Sequence, residues 1–139
     1  MEYIIITESF RKTLKKFKKY FHEKDIVFDI KRLIEKGFGK GETKLKNENY
    51  KGLDADLFKL RLKINNVDFR YIIVCFKSKN EYLPVFIDLK KGRYGRNLSF
   101  NSDKKTVAII NDNLEKVIID YLTSTSDNPL TTYYAVDGN

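Results

Sequence analysis

Between Leu57 and Ile64 apolar and basic residues alternate: Leu57-Phe58-Lys59-Leu60-Arg61-Leu62-Lys63-Ile64. Successive side chains of a strand point to opposite faces. Phe58, Leu60, Leu62 and Ile64 therefore share one face, and Lys59, Arg61 and Lys63 share the other. The first set needs a core to pack against. The second makes a cationic ridge whose like charges repel one another, which favours an anionic partner.

Two more strands follow. Asn65-Asn66 is a turn signal, and Phe69–Phe76 carries the near-continuous apolar run Tyr71-Ile72-Ile73-Val74-Cys75-Phe76, the pattern of a central strand buried on both faces. After a turn at Ser78-Lys79-Asn80-Glu81, Tyr82–Leu89 is the next strand, with Pro84 marking an edge or a bulge. Upstream, Tyr3–Thr7 is a short β-branched strand. Phe10, Leu14, Phe17 and Phe21 recur at helical spacing behind a Ser9 cap, with Arg11, Lys12, Lys15, Lys16, Lys18 and Lys19 on the other faces. Asp25 is the expected cap of a second helix with the inner stripe Ile26, Ile30, Leu33 and Ile34, ended by Gly37. Residues 37–50 are expected to form a loop. Its Gly37-Phe38-Gly39-Lys40-Gly41 stretch follows a helix rather than opening one and lacks the Lys-Ser/Thr pair of a phosphate-binding loop. Lys90–Ser102 is a second loop. A last helix spans about Asp103–Leu122 and turns Val107, Ile110, Leu114, Val117, Ile118 and Tyr121 inward.

The predicted order is β-α-α-β-β-β-α. Short turns between the last three strands imply antiparallel hairpins, and the helices are grouped rather than alternating with strands. This predicts an α+β fold with a small, mainly antiparallel sheet packed against helices. One domain is expected over residues 1–122, followed by a poorly ordered tail at 123–139 in which only Tyr133-Tyr134 is a docking candidate.

Lys and Arg number 27 against 19 Asp and Glu, a formal net charge of +8. Such a field attracts polyanions, and the binding weakens with salt. The basic residues are spread over helices and strands rather than collected on one amphipathic helix, which argues against a membrane surface, and no stretch reaches the ~20 apolar residues of a membrane span. The start of the chain lacks a signal-peptide pattern, and Cys75 is the only cysteine, so no disulfide framework exists. A cytoplasmic protein is expected, with Cys75 an inert core residue.

Several runs, taken in order, resemble the RelE/ParE superfamily of bacterial toxins, in its HigB/RelE-like ribonuclease branch. They are Lys44-Leu45-Lys46, Gly52-Leu53, Leu57-Phe58-Lys59-Leu60-Arg61, Phe69-Arg70-Tyr71-Ile72-Ile73, Val85-Phe86-Ile87-Asp88-Leu89-Lys90-Lys91-Gly92 and Asn97-Leu98-Ser99 ahead of the final helix. The resemblance covers about residues 3–122. It implies a RelE-like fold, a cognate antitoxin as partner, and cleavage of messenger RNA, often on the ribosome; a minority of the superfamily instead poisons gyrase. The chain departs from the family in its longer loop at 37–50, in its tail, and in having no unambiguous counterpart of the tyrosine often found near the toxin C-terminus.

Metal-free RNA cleavage needs one group to accept the 2′-OH proton, one to supply a proton to the leaving 5′-oxygen, and positive charge at the phosphorane. The single histidine, His22, stands at a helix end, where the dipole gives it a structural role, and a histidine pair is impossible. Lys, Arg, Tyr or a carboxylate must do the work, with no cofactor and no metal. A Lys among cations has its neutral form favoured. The expected catalytic set is Lys59, Arg61, Lys63, Arg70, Lys90 and Arg93. Arg61 and Arg70 stabilise charge, Lys59 or Lys63 is the base, and Lys90 or Arg93 is the acid or phosphate clamp. Lys91, Tyr94 and Arg96 are the expected RNA contacts, with Tyr94 able to stack on a base. Two alternatives stand beside this one. The ridge could belong to a non-catalytic nucleic-acid-binding or gyrase-inhibiting module. Asp88-Leu89-Lys90, with Asp54, Asp56 or Asp68, could form a magnesium-dependent nuclease site.

Overall fold

The computed structural model describes residues 1–37, 43–45 and 55–136. The element order is β1 (Tyr3–Thr7), α1 (Glu8–Leu14), α2 (Glu23–Glu35), β2 (Thr43–Leu45), β3 (Ala55–Ile64), β4 (Val67–Phe76), β5 (Glu81–Leu89), α3 (Lys104–Thr123) and β6 (Thr131–Ala135). This is an α+β fold. The strands form one mixed sheet in the order β2-β3-β4-β5-β1-β6, in which only β1 and β5 run parallel. Phe38 to Gly41, Lys46, Gly52, Leu53 and Asp54, all named above, lie outside the described residues. Among the described residues no helix is long and apolar enough to cross a membrane.

The β3–β4 hairpin fixes everything that follows. Asn65 and Asn66 both adopt the left-handed conformation (φ 50° and 65°), the pair of positive angles that a two-residue turn of type I′ requires and that asparagine tolerates. That turn sets Leu62 opposite Phe69, Leu60 opposite Tyr71 and Phe58 opposite Ile73, and on the other face Arg61 opposite Arg70. Tyr71 to Cys75 are all buried, because helices cover both sides of β4. On one side Phe17 and Phe21 meet Phe69 edge-on, and the buried Asp29 of α2 accepts a 2.6 Å hydrogen bond from the Tyr71 hydroxyl. On the other, Tyr121 of α3 stacks on Phe76 at 5.2 Å between centroids. Each large apolar side chain sealed in this way contributes about 1.5–3 kcal/mol.

Pro84 sits at the register shift between β4 and β5, where Ile72 faces Phe86 but Ile73 faces Pro84. The strand is central, not at an edge. A proline without an N–H is accommodated there because the bulge interrupts the ladder.

The expected loop at 37–50 contains the strand Thr43–Leu45, and the first helix ends at Leu14 instead of reaching Phe21; three other expectations need correction as well. The N-cap of α1 is Thr7, whose Oγ1 accepts from the Phe10 amide; Ser9 instead donates its amide to Asp120 of α3. The N-cap of α2 is His22, and Asp25 lies three residues on, its carboxylate accepting from the His22 amide at 2.7 Å. The stretch from Thr123 to Val136 is not a loose tail. Thr131–Ala135 pairs along the whole of β1, from Thr7↔Thr131 to Tyr3↔Ala135, and Val136 is buried. An Arg11-centred network locks it in place. The guanidinium donates to both carboxylate oxygens of Glu23 (2.6 and 3.2 Å) and to Thr132 (2.6 Å), and the Tyr134 hydroxyl donates to the same Glu23.

Burial pushes the Glu23 carboxyl up, but the hydrogen bonds from Arg11 and Tyr134 outweigh it and hold the group below its ordinary 4.5. A depressed carboxyl contributes stability above its unfolded value and loses it as pH falls through the folded one. Exchange protection of the β6 amides, measured by NMR, should therefore hold down to about pH 4.5 and decline below it. In Glu23→Gln that acid-side dependence should disappear.

Candidate nucleic-acid interface

Opposed residues of an antiparallel pair project from the same face, so the registers define rows across the sheet. One row is Arg61–Arg70–Asp88, with Lys59–Ile72–Phe86 on one side of it and Lys63–Asp68 on the other. The α3 helix covers this face towards Phe76. Towards the β3–β4 turn the face is open, and Arg61 and Lys63 are exposed there.

Two guanidinium groups directly opposite each other repel. Arg70 is drawn away from Arg61 by the segment that follows β5. Its Nη1 donates to the carbonyls of Gly95 and Arg96, both at 3.1 Å. Its Nε is sealed from solvent and has no hydrogen-bond partner among the described residues. Lys59 lies diagonally beside this pair. Partial burial, and then the positive charges of Arg70 and Arg61, push its amine below the ordinary 10.5, because both a lower dielectric and like charge disfavour the ammonium form.

The segment that anchors Arg70 is folded around Asp88. One carboxylate oxygen accepts from the Leu89 amide (2.9 Å), and the other accepts from the Tyr94 and Gly95 amides (3.0 and 3.1 Å). Both glycines in the segment are required by close approach. A Cβ at Gly92 would lie 2.6 Å from Asp88 Oδ1, and one at Gly95 would lie 1.9 Å from the Leu89 carbonyl oxygen. The turn sets Tyr94 edge-on against Phe86, at 5.9 Å, with the Arg93 guanidinium 5.5 Å from the Tyr94 ring centre.

The nine residues singled out from the sequence thus divide. Lys59, Arg61 and Arg70 are neighbours, and the segment bearing Arg93, Tyr94 and Arg96 borders them through Arg70. Lys90 and Lys91 do not join them, and Lys63 flanks Arg61 on the side away from Lys59. Lys63 is two residues, about 7 Å, along β3 from Arg61, on the opposite side from Lys59, and the register sets Asp68 opposite it. Lys90 donates its amide to the Asp68 carbonyl. Lys90 and Lys91 line a hollow of about 350 Å³ with Asn66 and Asp68 at the hairpin end. The tyrosines late in the chain are elsewhere: Tyr121 donates to Glu81 and Tyr134 to Glu23. Tyr121 lies against Phe76, about 20 Å along β4 from Arg70. Of the carboxylates considered for a magnesium site, Asp56 pairs with Lys77 at 2.8 Å, and both oxygens of Asp88 already accept backbone amides. No cluster of three metal-ligating side chains occurs among the described residues.

Comparisons with protein-family models, with curated proteins and with solved structures return no match.

Asp88→Ala should cost about 1–3 kcal/mol in urea unfolding, since three backbone amides lose their acceptor. Gly95→Ala should cost a similar amount, about 1–3 kcal/mol, through the forced shift of the Leu89 carbonyl.

Proposed function

We propose that this chain is the toxin half of a type II toxin–antitoxin pair and acts as a metal-independent endoribonuclease of the RelE/ParE kind on messenger RNA in the cytoplasm. The observation that carries the reading is the Lys59 amine, held below its ordinary pKa beside Arg61 and an anchored Arg70 on an open sheet face. The ordered runs that resemble the superfamily, and the α+β element order, support it.

In this mechanism neutral Lys59 takes the proton of a ribose 2′-OH. The freed oxygen attacks the adjacent phosphorus, and the P–O5′ bond breaks. Arg61 and Arg70 offset the charge that accumulates on the non-bridging oxygens, where prepositioned donors act most strongly. The departing 5′-oxygen takes a proton from solvent, and Arg93 of the loop after β5, whose guanidinium stays charged, serves as a phosphate clamp. The products are a 2′,3′-cyclic phosphate and a 5′-hydroxyl. Lys59 is the base, because partial burial and the charges of Arg70 and Arg61 favour its neutral amine. An antitoxin with an acidic segment would neutralise the same face.

Incubation of the pure protein with ribosome-bound messenger should produce breaks that persist in EDTA and vanish when the nucleotide at the cut carries 2′-deoxyribose. Persistent binding without breaks would reassign the chain as a non-catalytic basic module, and loss of cutting in EDTA would point to the magnesium chemistry. Arg70→Ala should remain folded and cut about 10²–10³-fold more slowly; a parental rate would remove Arg70 from the site. Because the base acts deprotonated, single-turnover cleavage should rise with pH and level off below 10.5. That limb should be lost in Lys59→Arg, whose guanidinium stays charged.

A further inference from the structure

On the other side of the Arg93–Tyr94 turn from Arg70 lies a feature the proposed chemistry does not use. Two adjoining hollows, of about 200 Å³ and about 240 Å³, share the residues Thr13, Lys16 and Phe86. The first is bounded by Arg93 and Tyr94. The second runs between α1 and α3, with Lys12 on one wall, Lys116 on the other and Ile109 beside Phe86. Together they make a continuous groove over the buried Phe86 and the half-buried Ile109, lined by Lys12, Lys16, Arg93 and Lys116 and by two carboxylates, Asp112 and Asp88, the second of which is taken up by backbone amides. Lys116 pairs with Asp112 at 3.0 Å. Lys12 and Lys16, both exposed, have no carboxylate within ion-pair distance among the described residues.

We infer that this groove is a second binding site, which holds a single-stranded segment of RNA flanking the nucleotide at Lys59, Arg61 and Arg70. The inference rests on the reading of that cluster as an RNA site. Unpaired ammonium groups beside a partly exposed ring suit a flexible polyanion with flat bases: the lysines meet phosphates, and a base can lie against Tyr94. An acidic protein segment would use the lysines but not the ring faces. Position agrees as well. Phe86 and Lys59 belong to one row, two strands apart, which is about 10 Å. The Asp88-folded turn lies between them, touching Arg70 with its carbonyls and Phe86 with Tyr94. A strand crossing that turn reaches both sides.

The test uses the full chain, the exposed double variant Lys12→Glu/Lys16→Glu, its milder form Lys12→Ala/Lys16→Ala, and RNA oligonucleotides of increasing length. Circular dichroism checks the fold. In cleavage, KM for long oligonucleotides should rise roughly tenfold in the Glu variant, with kcat and the constants for the shortest cleavable oligonucleotide unchanged. In parallel, fluorescence anisotropy with a labelled oligonucleotide bearing a 2′-deoxy block measures binding without cutting. There the slope of log affinity against log salt should fall by about 1.4 in the Ala variant, two single-strand phosphate contacts. An unchanged KM and an unchanged slope would overturn the groove. So would a loss confined to binding of poly-glutamate, which would make the surface a protein-docking one. If the chain cuts nothing yet the slope falls as expected, the groove stands and the nuclease reading fails.

Discussion

The fold turns on a like-charged pair. Arg61 and Arg70 face each other because the Asn65–Asn66 turn fixes the β3–β4 register, and the register cannot slip. A shift by one residue would send Lys59, Arg61 and Lys63 into the core and bring Phe58, Leu60 and Leu62 to the surface. The apolar face therefore holds in place a cationic face that would otherwise spread apart. The repulsion is relieved locally, by turning one guanidinium onto two backbone carbonyls. The Lys59 amine beside the pair has no such outlet among the described residues, and burial together with the two charges lowers its proton affinity.

Those two carbonyls depend in turn on a carboxylate. Asp88 gathers three amides of the segment after β5, and Gly92 and Gly95 allow the chain to close on it. One acidic residue thereby arranges the basic and aromatic groups on both sides of the turn, Arg70 through carbonyl acceptors and Tyr94 through contact with Phe86. The negative charge is spent on backbone donors and leaves the outward surface basic.

Much of this was legible in the chain because it is local. Alternation gave the faces of β3, the apolar run gave the burial of β4, the paired asparagines gave the turn, and Pro84 gave the irregularity in β5. What was not legible is what depends on distant partners. Lys63, Lys90 and Lys91 look equivalent to Lys59 in the sequence; only the folded chain shows that an aspartate, Asp68, stands opposite Lys63 and that Lys90 and Lys91 lie at the hairpin end. Asp88 reads as half of a metal motif until its amide partners are known, although Gly92 and Gly95 at short spacing after it were a sign of a tightly folded turn. The strand β6 was missed for another reason. Thr131-Thr132-Tyr133-Tyr134 is rich in β-branched and aromatic residues, but it follows a polar stretch. As the last strand of the sheet it pairs on one side only, so it carries no long apolar run.

The position of β1 has a consequence for how the chain matures. Its neighbours are β5 on one side and β6 on the other, so this strand finds its second companion only when residues 131–135 have emerged. At about 5–20 residues per second, Ile4, Ile5 and Ile6 wait for several seconds with an open ladder on the nascent chain. Such long-range closure slows folding, and an unpaired apolar strand invites association with other chains. The ring of contacts from Arg11 to Glu23, Thr132 and Tyr134 then works as a latch that shuts once residues 131–135 arrive, tying completion of the sheet to a strand more than a hundred residues away.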